Sequence, residues 1–283
     1  MAEKIRGFVE EDVGQGDVTT LLTIPFGTIV EAEVVAKESG VAAGVEETLT
    51  LLKDFNLEVS ALVADGSKVE KKTVMLKIVG DARTLLSIER TLLNILARMS
   101  GIATATNQLV EKVRSSGYKA RVACTRKVAP GLSYFDKRAM MLGGGDTHRL
   151  HLDDLVLIKD NHLAILGSID KAVRKVRSAV SFSKKIEVEV STANEAVEAA
   201  KMGVDIVMFD NFTPQRMKKA VALLEREGLR NKVLIEASGG INKHNILQFA
   251  NAGADILSLG ELTDSARALD ISLEIVKVRK SKV

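Results

Sequence analysis

Apolar and polar positions alternate from Thr28 to Lys37, in TIVEAEVVAK, which is the two-residue period of a half-buried strand. The spacing turns helical in GVEETLTLLKDF, from Gly44, and LEVSALVADGSKVEKKTVMLKIVG then reads as strands around an Asp65-Gly66 turn. Such a turn would also suit a small swinging-arm carrier domain, but no lysine between methionines occupies it here. In ARTLLSIERTLLNILARMSG, the residues Leu85, Ile88, Leu92, Ile95, Leu96 and Met99 share one face of a long packed helix, and Gly101 marks its end or a break.

From about residue 104 the pattern becomes strand–helix alternation. Short β-prone runs lie at Ala120–Cys124, Leu155–Ile158, Ile186–Val190, Ile206–Phe209, Leu234–Ala237 and Ile256–Leu259. Helical segments such as SIDKAVRKVRSAV and TANEAVEAAKMG fall between most of them, which implies parallel strands joined by right-handed crossovers. AAKMGVDIVMFDN and FANAGADILSLGE echo each other: a helix ending in Gly, an Asp, an apolar strand, then polar residues. No G-x-G-x-x-G opens the first unit, which counts against a dinucleotide fold. The expected architecture is α/β, with a barrel, complete or incomplete, behind a separate N-terminal region.

Composition sharpens this picture only at the margins. The 283 residues, 46% of them apolar and 27% charged, suffice for one large or two modest domains. A net charge of +3 does not argue for nucleic acid or a membrane surface. The single cysteine, Cys124, excludes an internal disulfide framework and fits a reducing compartment. MAEKIRGFVEED has no apolar core of a secretory signal, and no stretch approaches the ~20 apolar residues of a spanning helix. A cytoplasmic protein is expected.

Candidate chemistry collects where the strands end, as it should if the barrel delivers reactive groups from strand C-termini. CTRKVAPG supplies Arg126 and Lys127, and VLIKDNH supplies Lys159. IEVEV carries Glu187 and Glu189 on one strand face, where they need nearby cations or protons unless that face is exposed. Asp210 and Asn211 end the fourth run, Glu236, Ser238, Gly239 and Gly240 the fifth, and Gly260 and Glu261 the sixth. GGGDTHR adds His148 and Arg149; its glycines serve either as a flexible turn or as a close backbone approach to an anion. SGG at 238–240, before a helix, reads as a phosphate cradle. His151 and His244 lack partners at metal-ligand spacing and read as surface residues, and Cys124 reads as a strand residue. Converging Arg and Lys imply a strongly anionic substrate bearing carboxylates or phosphates. Acidic groups beside it suit a divalent metal or a transition state in which positive charge develops, and a nucleotide-forming glycosyl transfer needs both.

The ordered motifs EDVGQGDVTT (11–20), ERTLLNILARMSGIAT (89–104), TRKVAPG (125–131), GGGDTHRLHLDD (143–154), LIKDNH (157–162), EVEV (187–190), FDN (209–211), EASGGI (236–241) and ALDISL (268–273) resemble the quinolinate phosphoribosyltransferase family almost end to end. The resemblance implies an N-terminal α/β sandwich domain at 1–103, an incomplete α/β barrel at 104–265, and a C-terminal segment at 266–283 that returns to the first domain. It implies quinolinate and phosphoribosyl pyrophosphate as substrates, Mg²⁺ as cofactor, and a homodimer or higher assembly of dimers with a shared active site. By matching motif, the substrate-binding cations are Arg126, Lys127, His148, Arg149 and Lys159, with Arg98 offered from the partner subunit. Glu189 and Asp210 match the acidic pair beside ribose and metal, and Ser238, Gly239, Gly240 and Gly260 match the phosphate-holding loops. Lys159, Glu189 and Asp210 are the residues expected to act nearest the chemistry. Val128, Thr147, Glu261 and Asp264 depart from the family pattern, the last two adding negative charge beside a phosphate site. Two other readings stay open: a paralogue acting on another acid, and a barrel lyase using Lys159 as a Schiff-base nucleophile. A phosphate-ligand sensor without turnover is a third.

Overall fold

A computed structural model of the chain describes residues 1–279. The chain divides into two compact units, one formed by Met1–Asn107, Tyr134–Gly144 and the segment from Ala266 on, the other by Gln108–Ser133 and Gly145–Ser265.

The first unit contains α1 (Ala2–Val13), α2 (Val18–Thr23), β1 (Ile29–Ala36), β2 (Gly40–Val41), α3 (Val45–Asp54), β3 (Glu58–Ala61), β4 (Lys68–Val69), β5 (Val74–Asp81) and most of α4 (Ala82–Ser115). The alternation read in TIVEAEVVAK is that of β1, whose Val30, Ala32 and Val34 are buried. Strand β12 (Ile271–Arg279) pairs antiparallel with β1, Val34 opposite Leu273, so the C-terminal segment supplies the outer strand of the sheet β12-β1-β5-β3. Its four last residues lie outside the described residues. Of the strands around Asp65-Gly66, β3 pairs antiparallel with β5 across it, whereas the short β4 pairs with β2 and makes no tight hairpin at the turn. Asp65 instead caps α3, accepting hydrogen bonds from the Val45 and Glu46 N–H groups at 2.9 and 3.3 Å.

All six apolar residues assigned to the packed face of α4 are buried. The helix nevertheless runs through Gly101 to Ser115. A Cβ on Gly101 would lie 1.9 Å from the carbonyl oxygen of Arg267, so the glycine is there to let another backbone approach rather than to stop the helix. Gly143 has the same explanation: a Cβ would meet the Ala103 carbonyl oxygen at 2.5 Å, which replaces both the flexible-turn and the anion-approach readings at that position.

In the second unit six parallel strands, β6 (Arg121–Cys124), β7 (Val156–Ile158), β8 (Ile186–Val190), β9 (Ile206–Asp210), β10 (Leu234–Ser238) and β11 (Ile256–Leu259), are ordered β6-β11-β10-β9-β8-β7. Asp146 bridges to Ala123 beside β6, and no ladder among the described residues joins β7 to that edge, so the barrel is incomplete. Helix α5 (Ser133–Leu142) belongs, apart from its first residue, to the first unit, while α6 (Asp160–Leu166), α7 (Ile169–Arg177), α8 (Ala193–Lys201), α9 (Pro214–Arg226), α10 (Ile246–Asn251) and α11 (Glu261–Asp264) follow the strands. Helix starts follow local chemistry: Thr192 and Glu195 form a capping box on α8, and Thr213 caps α9 with Pro214 in its first turn. The sequence echo is also structural. Asp205 and Asp255 each accept the N–H of a neighbouring strand's residue, Ile186 and Ile235, both at 2.8 Å. On every central strand the apolar alternate positions, Val188 and Val190, Val207 and Phe209, Ile235 and Ala237, are buried. The other alternates, Glu189, Asp210, Ser238 and Ser258, line a cavity inside the barrel.

Candidate active site

A cavity of about 320 Å³ occupies the C-terminal mouth of the barrel. Arg126, Lys127, His148, Arg149 and Lys159 line it from one side, and Glu189, Asp210 and Ser238 from the strands β8, β9 and β10. A second cavity of about 270 Å³ is walled by Gly239, Gly240, Gly260, Asn242, Glu261 and Asp264. Thr125, Lys127, Ser238 and Ser258 line both, so the two cavities meet along one wall. A larger cavity, about 840 Å³, lies at the opposite, N-terminal mouth. His148 and Arg149 line this cavity too, and two of its other cations are paired with acids, Arg230–Asp255 at 2.9 Å and Arg121–Asp146 at 3.3 Å.

Lys159 follows β7 directly and occupies the N-cap of α6, its N–H donating to His162 Nδ1 at 3.0 Å. The polar run after the strand is therefore a helix start that fixes the backbone of Lys159. The Lys159 ammonium lies 3.3 Å from Glu189 Oε2. Burial raises the Glu189 pKa, Lys159 opposes the rise, and Asp210 and Asp160 add to it. Asn211 Nδ2 donates to Asp210 Oδ2 at 2.6 Å. Glu189 and Asp210 are hard oxygen donors in a partly exposed cleft, a set that suits Mg²⁺, which is held by one or two carboxylates together with substrate oxygens. Burial lowers the Arg149 pKa, and the Arg126 guanidinium lowers it further. Two guanidinium groups brought this close favour an anionic ligand.

The glycine loop works differently from a helix N-terminus. Helix α10 begins only at Ile246, several residues after the glycines, so a phosphate would meet loop N–H groups and not a helix end. Gly239 (φ +85°) and Gly240 (φ +64°) both adopt left-handed backbone, and a Cβ on Gly239 would lie 2.3 Å from Asn211 Oδ1.

His148 differs from the expectation of a cation turned to substrate. Its Nε2 lies 3.0 Å from Glu236 and 3.4 Å from Glu187, and its Nδ1 accepts the Arg149 N–H at 2.7 Å. Arg98 lines none of these cavities. Far from the end of its helix, its Nε and Nη2 donate to the buried Asp136 carboxylate, each at 2.8 Å. Glu236, named among the polar strand ends but given no role, lines the cavity, as do Thr125 and Ser258, which were not singled out and which no local signal marks.

The models of the quinolinate phosphoribosyl transferase N-terminal and C-terminal domains match residues 17–100 and 102–274. The chain belongs to the quinolinate phosphoribosyltransferase family. It is 46% identical over 275 residues to the probable nicotinate-nucleotide pyrophosphorylase [carboxylating] of Methanothermobacter thermautotrophicus, covering 97% of this chain and 99% of that one. It is 42% identical to the nicotinate-nucleotide pyrophosphorylase [carboxylating] of Rattus norvegicus over 87% of this chain and 81% of the other. Among solved structures, NadC from Streptococcus pyogenes superposes with a TM-score of 0.90 at 34% identity, covering 98% and 96% of the two chains.

Proposed function

We propose that this member of the family transfers the phosphoribosyl group of phosphoribosyl pyrophosphate to the ring nitrogen of quinolinate, with loss of carbon dioxide, as a step of NAD biosynthesis. The observation that carries the reading is the pair of adjoining anion sites that share Lys127: one ringed by Arg126, Arg149 and Lys159, the other walled by glycine backbone. A planar dicarboxylate suits the first and a phosphate the second.

Arg126 and Arg149 take the two carboxylates of quinolinate and so turn the ring nitrogen toward the anomeric carbon. That positioning replaces the entropy cost of a bimolecular encounter. The nitrogen lone pair forms the new C–N bond as the bond to pyrophosphate breaks, and no base is needed because that nitrogen carries no proton. Glu189 and Asp210 lie where positive charge develops on the sugar and stabilise it electrostatically. Mg²⁺, held by Glu189 and Asp210, would neutralise charge on the pyrophosphate. The carboxylate next to the nitrogen then leaves as carbon dioxide, its electron pair staying on the ring carbon, which takes up a proton. Gly239, Gly240 and Gly260 present backbone to the phosphate, with Glu261 and Asp264 across the same cavity limiting it to a site that Lys127 must offset.

The Schiff-base alternative requires the free amine of Lys159, and that group is ion-paired with Glu189. Borohydride treatment in the presence of quinolinate and phosphoribosyl pyrophosphate should therefore leave no adduct on Lys159; a trapped adduct would transfer the protein to the lyase class. We further propose a cytoplasmic homodimer, or an assembly of such dimers, in which Arg98, held rigid by Asp136, reaches the partner's quinolinate. No helix among the described residues is long and apolar enough to cross a membrane.

A further inference from the structure

One buried group takes no part in the steps above. Glu187 on β8 and Glu236 on β10 are both fully buried, each one inward position deeper than the site residues Glu189 and Ser238 of the same strand. His148 reaches in between them with Nε2. Glu187 Oε1, Glu236 Oε1 and Ser258 Oγ find no hydrogen-bond partner, and buried polar atoms left so call for an explanation.

A divalent cation is one candidate, since three ligand atoms of His148, Glu187 and Glu236 lie within 4.8 Å of one another. The imidazole argues against it. Nδ1 accepts the Arg149 N–H at 2.7 Å, so a neutral ring carries its proton on Nε2, where a metal would need the lone pair. A doubly protonated ring has no lone pair there either. The geometry therefore fits a hydrogen-bonded brace better than a metal site. Burial lowers His148, but its hydrogen bonds to Glu187 and Glu236 outweigh this and raise it to about 10. The Arg149 N–H aimed at Nδ1 works against the second proton.

The adjacent segment, 146–149, points to what such a brace is for. His148 adopts φ +52°, a left-handed conformation disfavoured for a residue with a Cβ, in a loop tied to the barrel by the Asp146 bridge. The His148 N–H donates to Asp146 Oδ1 at 2.8 Å, and the His148 ring accepts from the next residue, Arg149. The ring is thus fixed at both nitrogens, and Arg149 is fixed by the ring. Glu187 and Glu236 also face the Arg149 guanidinium, partly offsetting its repulsion by Arg126.

We propose that Glu187 and Glu236 are positioning residues which, through His148, hold the 146–149 turn so that Arg149 meets a carboxylate of the substrate. The proposal rests on the reading of the site as one for an aromatic dicarboxylate and names what sets its affinity. Its test is a double-mutant cycle read by calorimetric Kd for quinolinate, with phosphoribosyl pyrophosphate Kd as the internal control. Glu236→Ala should weaken quinolinate at least tenfold in the wild-type background and less than twofold in an Arg149→Ala background, while phosphoribosyl pyrophosphate stays within twofold. Glu236→Gln, which still accepts from Nε2, should recover most of the loss. An equal quinolinate penalty in both backgrounds, or parallel weakening of both substrates, would overturn the proposal in favour of a general structural role. If Glu236→Ala does not fold, Glu187→Ala goes through the same cycle and is judged by the same criteria. Wild-type protein that neither binds nor turns over quinolinate would instead sink the functional reading on which the proposal rests.

Discussion

Replacing Gly239 by alanine separates the two reasons a glycine can be needed. The new Cβ would lie 2.3 Å from Asn211 Oδ1 and 2.8 Å from the Asn211 backbone nitrogen. Asn211 cannot retreat cheaply, because its N–H donates to the Ser238 carbonyl at 3.0 Å and its Nδ2 holds Asp210 at 2.6 Å. Overpacking of this kind costs about 1–3 kcal/mol. The left-handed backbone at φ +85° adds about 1–2 kcal/mol for any residue with a Cβ. Gly240 is the matched control: its φ is +64°, yet a Cβ there would meet nothing within 4 Å, so only the backbone cost applies. The predicted difference between the two alanine variants is therefore the clash alone, about 1–3 kcal/mol, or roughly 2–4 °C of Tm per kcal/mol for a chain of this size. Calorimetric melting and steady-state kinetics read it. Gly239→Ala should melt several degrees below Gly240→Ala and raise the KM for phosphoribosyl pyrophosphate by at least tenfold, because Asp210 moves with Asn211. Equal melting temperatures and equal KM values for the two variants would refute the reasoning.

Gly101→Ala tests the same argument in a helix. Intrinsic propensity would make it stabilising by about 1 kcal/mol, but the 1.9 Å approach to the Arg267 carbonyl should reverse the sign, which thermal denaturation would show; a raised Tm would mean the approach is not real. Lys127→Ala and Arg149→Ala should each lose about 1.5–3 kcal/mol of quinolinate stabilisation in kcat/KM with near-native circular dichroism, and unchanged kinetics would mean that the site is misassigned. Arg98→Ala and Lys159→Ala should each be nearly inactive. After subunit exchange their mixture should recover about a quarter of wild-type activity, since half of the dimers are mixed and each has one intact site. No recovery, with exchange verified by mass, would remove Arg98 from the partner's site.

The barrel strands were legible because two independent signals coincide in them. In β8 and β11 an apolar period and flanking polar turns mark the same residues, and the strands occupy Ile186–Val190 and Ile256–Leu259 as expected. Glu189 and Asp210 followed from two-residue alternation and strand ends, and both line the cavity. The glycines were harder to read. Gly101 and Gly143 are required by backbone from Arg267 and Ala103, and no local pattern encodes a contact made through the folded chain. The strands around Asp65-Gly66 were legible, since β3 and β5 flank the turn and pair, but the task of Asp65 was not: it is spent on the α3 N-terminus and on Arg138, contacts made through the folded chain. His148 was read as a substrate-binding cation because its two buried carboxylates come from strands 39 and 88 residues later in the chain, at Glu187 and Glu236.

The central claim is that one cavity joins a dicarboxylate to a phosphoribosyl group and then removes one carboxylate. Quinolinate labelled in the carboxylate next to the ring nitrogen, incubated with phosphoribosyl pyrophosphate, Mg²⁺ and the purified protein, tests it directly. Labelled carbon dioxide, pyrophosphate and nicotinate mononucleotide should appear in equal amounts, and omitting phosphoribosyl pyrophosphate should abolish all three. Folded protein that releases no label, or that releases it without phosphoribosyl pyrophosphate, would contradict the account.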